Sequence, residues 1–201
     1  MKKGIVHDVG INDYDGKIKT NGKPIHEYNL WTAMIQRCYS ADYHETRPTY
    51  IECFVEDYFL SFNNFLNYIR TVKGFDCYDE KEKRYQLDKD LLVKGNKQYS
   101  RDTICFIPSE INSFIGAHCT KTRGGLPMGV SWHNIGKKYL SKITIEGKQK
   151  NLGLYETPEE AFNVYKKEKL ERVKYLADKY KSTISPQVYD SLMNYDIEID
   201  Y

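Results

Sequence analysis

The sequence predicts an α+β protein. A helical N-terminal part supports a strand–loop–strand–helix unit, and a small three-stranded antiparallel sheet packed on one helix follows. Three observations carry this reading. Apolar residues recur at helical spacing over residues 27–71. Two β-rich runs flank a Gly95-Asn96-Lys97 turn within 85–107, and Pro108 opens a helix directly after them. From 128 the period changes to strict alternation, which ends in the helix-start signal Thr157-Pro158-Glu159-Glu160.

Taken in order, residues 1–26 are polar and rich in glycine, with a short alternation at Gly16-Lys17-Ile18-Lys19-Thr20. Two readings stand for this stretch: a basic hairpin or arm lying on DNA, or a loosely packed terminus. Trp31, Met34, Ile35 and Cys38 sit at i, i+3, i+4 and i+7 of a first helix. Residues 40–49 read as a loop. Residues 57–71 read as one helix whose stripe of Tyr58, Phe62, Phe65, Leu66 and Ile69 is core, with Gly74 beyond its end. The mixed charges of 76–84 read as a solvated connection.

The stretch 85–115 opens with Tyr85-Gln86-Leu87 and runs through Asp88-Lys89-Asp90 to the turn at 95–97. The second strand is expected over 103–107 and the helix over 109–115. That order brings the end of the first strand toward the helix, where Glu110 and Asn112 sit. Residues 117–127, with Gly124-Gly125 and Pro127, form the expected boundary. The predicted organisation is therefore 1–116, a linker at 117–127, and 128–201. Lys121 and Arg123 are placed to touch phosphates if the linker crosses DNA. His118 and Cys119 lack the second ligand pair that a zinc site needs.

In the last part, Val130 and Trp132 alternate with Ser131 and His133, and a second strand covers 138–146. Glu146-Gly147-Lys148 is a tight turn, a third strand covers 149–155, and a helix runs from Pro158 to about Lys181. With Val130, Trp132, Ile143 and Leu152 on the helix side, the other face presents Ser131, His133, Lys142, Thr144, Gln149 and Asn151. Lysine reads guanine, and Gln or Asn pairs bidentately with adenine. A solvated sheet face is the alternative, since antiparallel sheets commonly keep one wet side.

Composition narrows the classes. The 201 residues are 40% hydrophobic and 29% charged, which excludes a disordered chain. No apolar run has the length of a membrane span, and Met1-Lys2-Lys3 precedes no apolar core of a signal peptide. The five cysteines form no CxxC pair, which points to reduced thiols and a cytoplasmic setting. With a net charge of only +2, nucleic-acid affinity must come from local clusters. The 18 tyrosines suit either packing or stacking and decide neither.

The stretch 85–112 (YQLDKDLLVKGNKQYSRDTICFIPSEIN) resembles a degenerate HNH, or ββα-metal, motif of phage-type homing endonucleases. The similarity extends over about 28–116. It implies a ββα-metal-like unit with Asp88 and Asn112 in the metal-ligand places, Mg²⁺ as the ion, and Lys89 where the family has its histidine base. Thr103 stands in the place of the structural asparagine. A lysine ordinarily holds its proton roughly four units above a histidine, so the base is either a Lys89 of depressed pKa or a neighbour such as Asp90. The segment 127–180 resembles the Apetala-two (ethylene-response-factor) DNA-binding domain. The matching residues are Gly129-Val130, Tyr139 and Ile143, Leu152-Gly153-Leu154-Tyr155 and Thr157-Pro158-Glu159-Glu160-Ala161. That resemblance implies a sheet lying in the major groove with the helix at its back; the family's several arginines and its tryptophan are not at those sites here.

The expected function is that of a DNA-binding protein derived from an HNH homing endonuclease, with double-stranded DNA as partner and no membrane. If phage-encoded, its setting is the host cytoplasm. Two further readings stand beside it: an active Mg²⁺-dependent endonuclease using Asp88, Lys89 and Asn112, and an interaction or inhibitor protein using its tyrosine-rich surface.

Overall fold

A computed structural model of the chain describes residues 4–116 and 124–201, and the fold is α+β. The chain divides into two compact units. The first comprises Met1–Ser109 with Ser182–Val188, the second Glu110–Lys181 with Tyr189–Tyr201. His118, Cys119, Lys121 and Arg123 lie outside the described residues.

The first unit opens with two hairpins, β1 (Ile5–Val6) with β2 (Gly10–Ile11) and β3 (Lys19–Thr20) with β4 (Lys23–Pro24). Helix α1 (His26–Tyr39) then buries Trp31, Met34, Ile35 and Cys38 along one side. The Trp31 indole N–H donates to the Phe59 carbonyl at 2.8 Å, so this fully buried side chain leaves no polar atom unpaired.

Two sequence expectations fail in this unit, each for a capping reason. Residues 40–49 are not a plain loop. Ser40 accepts from the Tyr43 N–H at 3.3 Å and starts a helix, α2 (Ala41–Thr46), and a 3₁₀ turn follows at Pro48–Tyr50. The single helix expected over 57–71 is broken. After the strand β5 (Phe54–Val55), helix α3 (Asp57–Leu60) ends at Ser61, whose ψ of 124° is extended; helix α4 (Phe62–Ile69) then begins. Ser61 caps α4 through the Asn64 N–H at 3.1 Å and donates to Asp13 Oδ2 at 2.7 Å. Asp13 also takes the Asn63 N–H at 2.9 Å. Of the expected stripe, Phe62, Phe65, Leu66 and Ile69 are buried core, joined by Phe59, whereas Tyr58 is exposed.

Three strands complete the unit: β6 (Gln86–Asp88), β7 (Gln98–Tyr99) and β8 (Cys105–Ile107). β6 and β8 are antiparallel with Asp88 opposite Cys105, and β7 runs parallel to β5. The segment 182–188 joins this unit, and Thr183 shares a 2.7 Å hydrogen bond with the Tyr85 hydroxyl.

Helix α5 (Ser109–Ile115) starts at the last residue of the first unit and otherwise belongs to the second. The division thus falls after Ser109, the first residue of α5. The reason is polar as well as apolar. Glu110 accepts from Arg172 at 2.9 Å, Lys179 at 3.0 Å and the Tyr180 hydroxyl at 3.0 Å, while Phe114 packs on the second unit's core.

That second unit is a three-stranded antiparallel sheet in the order β11-β10-β9: β9 (Val130–His133), β10 (Lys138–Ile145) and β11 (Lys148–Tyr155). Glu146 and Gly147 both have positive φ, 52° and 77°, the signature of the tight turn that joins β10 to β11. Helix α6 (Pro158–Lys179) lies against the sheet. It starts with a complete capping box from Thr157 and Glu160, with Pro158 at its first position. Val130, Ile143, Ala161, Phe162, Tyr165, Met128 and Ile197 make the core. At Gly129 (φ 77°) a Cβ would lie 2.1 Å from the Tyr165 ring, so only glycine lets the helix approach here. A last helix, α7 (Pro186–Met193), has Pro186 to Val188 in the first unit and the rest in the second. No helix among the described residues is long and apolar enough to cross a membrane.

Candidate nucleic-acid interface

Strand register decides which side chains share the outer face of the sheet. In β10 the buried Ser141 and Ile143 and the partly buried Tyr139 and Ile145 point to α6, so Lys138, Leu140, Lys142 and Thr144 point away. Directly opposed residues of antiparallel strands lie on one face. Leu140 stands opposite Ser131 and Lys138 opposite His133; Lys142 stands opposite Asn151 and Thr144 opposite Gln149. All six residues expected on this face, Ser131, His133, Lys142, Thr144, Gln149 and Asn151, therefore share it. Thr144, Gln149 and Asn151 are exposed; Ser131, His133 and Lys142 are half-buried.

Ion pairs support the same assignment from the other side. Lys150 reaches Glu168 of α6 at 2.8 Å, and the turn residue Glu146 reaches Arg172 at 2.7 Å. The outward positions of the three strands contain no carboxylate. Lys138 alone among them is tied to an acid, Glu156 at 2.6 Å, and both partners are well exposed, so the pair is of little energetic weight. The His133 ring accepts the Gly136 N–H at Nδ1, 3.0 Å away. In the neutral ring that leaves the hydrogen on Nε2, a donor for a phosphate or a base acceptor.

Two features of the sheet escaped the sequence. A register shift between Ser141 and Lys142 leaves Leu152 as an extra residue in β11. The phase of β11 flips there, so Leu154 joins Leu140 on the outer face, 43% exposed. Gly153, at φ 135°, was the available signal, since glycine inside a strand often marks a bulge. The other is Trp132, which was expected to be packed on the helix but is 48% exposed. Its ring meets Tyr139 edge-on at 5.0 Å, because Tyr139 is its cross-strand partner.

The residues of the HNH-like stretch are placed as follows. Asp88 ends β6 and its Oδ1 accepts the N–H groups of Asp90 (2.9 Å) and Leu91 (2.8 Å). Burial pushes its carboxyl above the usual range, against those two bonds. Lys89 is buried, and its ammonium donates to Asp90 Oδ1 at 2.5 Å and to the Asn96 carbonyl at 3.0 Å. Asn96 returns the contact, donating to the carbonyls of Lys89 (2.7 Å) and Gln98 (2.6 Å). Thr103 closes the far end, donating to Gln98 O at 2.8 Å and accepting from Ser100 N–H at 3.0 Å. In this geometry Lys89 clamps the loop between β6 and β7.

Asn112 lies half-buried on α5, in the second unit, whereas Asp88 belongs to the first. For Mg²⁺ the first unit offers Asp88 Oδ2 beside a carboxylate, Asp90, that already holds an ammonium. Among the described residues no three His, Cys, Asp or Glu side chains gather as a metal site. No family model, no curated protein and no solved structure matches this chain.

Proposed function

We propose that this protein binds double-stranded DNA through the outer face of the β9–β10–β11 sheet, which enters the major groove and reads base edges. The observation that carries the reading is the register. It gathers Ser131, His133, Lys142, Thr144, Gln149 and Asn151 on one face whose outward positions hold no carboxylate. Lys142 is the guanine reader, Gln149 and Asn151 are the adenine readers, and His133 donates through Nε2. Leu140 and Leu154 supply the apolar contact that a thymine methyl requires. The capped helix at the back and the packed core give these side chains a rigid mount.

Selection of duplexes from a randomised library, followed by fluorescence anisotropy, tests it. The wild type enriches a defined sequence, and Asn151→Ala relaxes preference at one position by about 1–3 kcal/mol. Enrichment of no sequence together with salt-insensitive binding would sink the reading and favour an interaction protein. Asp88 and Asn112 enter this proposal only as residues of the strand–loop–strand–helix stretch, and Mg²⁺ has no part in it. No step is routed through them.

A further inference from the structure

The first unit carries a second basic element, the hairpin of β3 and β4. Its two-residue tip is Asn21-Gly22, both with positive φ (52° and 77°), the geometry that matches the twist of a tight ribbon. A Cβ on Gly22 would meet nothing within 4 Å, so the tip stands in open space. The base is fixed: Ile18 is 8% exposed, and the Ile25 N–H donates to the Ile18 carbonyl at 2.9 Å. The ribbon therefore projects from an anchored root.

Its charges are arranged on both sides. Lys19 stands opposite Pro24, and Thr20 opposite Lys23. Neighbouring positions of a strand point to opposite faces, so Lys19 and Lys23 leave the ribbon on opposite faces. Lys17 lies at the root. All three lysines are exposed, and none makes an ion pair among the described residues. Asp15 is the only acidic residue in 14–26.

We infer that this hairpin is a groove-entering wing for duplex DNA, with Lys19 on the phosphates of one groove wall, Lys23 on those of the other, and Asn21 toward the groove floor. The partner follows from the two-sided charge. A flat anionic surface, whether a lipid headgroup layer or an acidic protein, is met by one face of a ribbon only. A nucleic-acid groove presents a phosphate wall on each side, and the major groove of B-DNA, about 12 Å wide, admits a two-stranded ribbon. The deep, narrow major groove of duplex RNA does not. The inference shares its class of partner with the proposed function but rests on a different unit and different residues.

Lys19→Ala, Lys23→Ala and the double variant are compared with wild type and with Lys142→Ala, by anisotropy on one duplex over a salt series. Both lysines are exposed, so folding is preserved, and circular dichroism checks it. Each phosphate contact contributes about 0.9 to the slope of log K against log salt, so the double variant loses about 1.8 of slope. That amounts to roughly eightfold weaker binding per lysine at about 0.1 M salt. A double variant that keeps the wild-type slope while Lys142→Ala weakens binding overturns the wing alone. Loss from only one of the two lysines also overturns it, as does equal loss on anionic vesicles or duplex RNA. Absence of duplex binding by wild type overturns the wing and the sheet reading together.

Discussion

Replacing Lys169 with methionine stabilises the second unit at neutral pH. Lys169 is 1% exposed on the inner side of α6. Its ammonium has the Met128 sulfur at 3.6 Å and lies 5.7 Å and 5.9 Å from the ring centres of Phe114 and Tyr165. A thioether is a weak acceptor, and no carboxylate among the described residues pairs with the ammonium. Burial pushes its pKa down from 10.5 to about 8. The folded protein at neutral pH therefore keeps a charge there at a cost of about 3 kcal/mol, given 1.36 kcal/mol per unit of pKa. The two ring faces return part of that, so Lys169→Met gains about 2–3 kcal/mol.

The pH dependence fixes the sign. Between about 8 and 10.5 the folded lysine is neutral while the unfolded one still binds its proton, so wild-type stability rises with pH across that window. The advantage of the methionine variant shrinks over the same window. Urea denaturation followed by far-ultraviolet ellipticity reads this, because the 22-residue α6 is the longest helix among the described residues. A variant less stable than wild type at about pH 7, or an advantage that stays constant up to about pH 10, would refute the reasoning.

Other perturbations have equally definite outcomes. Gly129→Ala places a Cβ against the Tyr165 ring at a left-handed φ and costs about 2–4 kcal/mol by denaturant titration. Thr157→Ala removes one half of the capping box and costs about 1 kcal/mol by thermal melting. At Glu110, burial opposes ionisation, but Lys179, Tyr180 and Arg172 outweigh it and hold the carboxyl below its usual range. Its contribution is complete above the unfolded value and fades as pH falls through the acid range, so Glu110→Gln flattens the acid limb of a stability–pH curve. Asn96→Ala loses three hydrogen bonds at the β6–β7 loop and costs about 2–3 kcal/mol, with hydrogen exchange rising first at Leu91 and Gln98.

What the sequence made legible is what adjacent residues decide. Trp31, Met34, Ile35 and Cys38 mark a helix by spacing alone, and Thr157-Pro158-Glu159-Glu160 starts α6 by local hydrogen bonds. The outer-face set was legible because alternation needs only the parity of a strand. What escaped depends on distant partners. Ser61 breaks a helix because Asp13, 48 positions earlier, receives its hydroxyl. Glu110 draws α5 into the second unit through Arg172, Lys179 and Tyr180, more than sixty positions later. Lys89 looked like a substituted base in sequence; in three dimensions its ammonium closes a loop onto the Asn96 carbonyl. Leu154 reached the outer face because one bulged residue shifted its parity, which Gly153 hinted at and alternation could not count.

The central claim is that the sheet face reads DNA. Its most direct test is the salt dependence and sequence preference of duplex binding by wild type against the double variant Lys142→Ala/Asn151→Ala. The account predicts steeply salt-dependent binding by wild type, and in the variant weaker binding with relaxed preference at the bases those side chains contact. A variant that binds the selected duplex with wild-type affinity, slope and preference would contradict it.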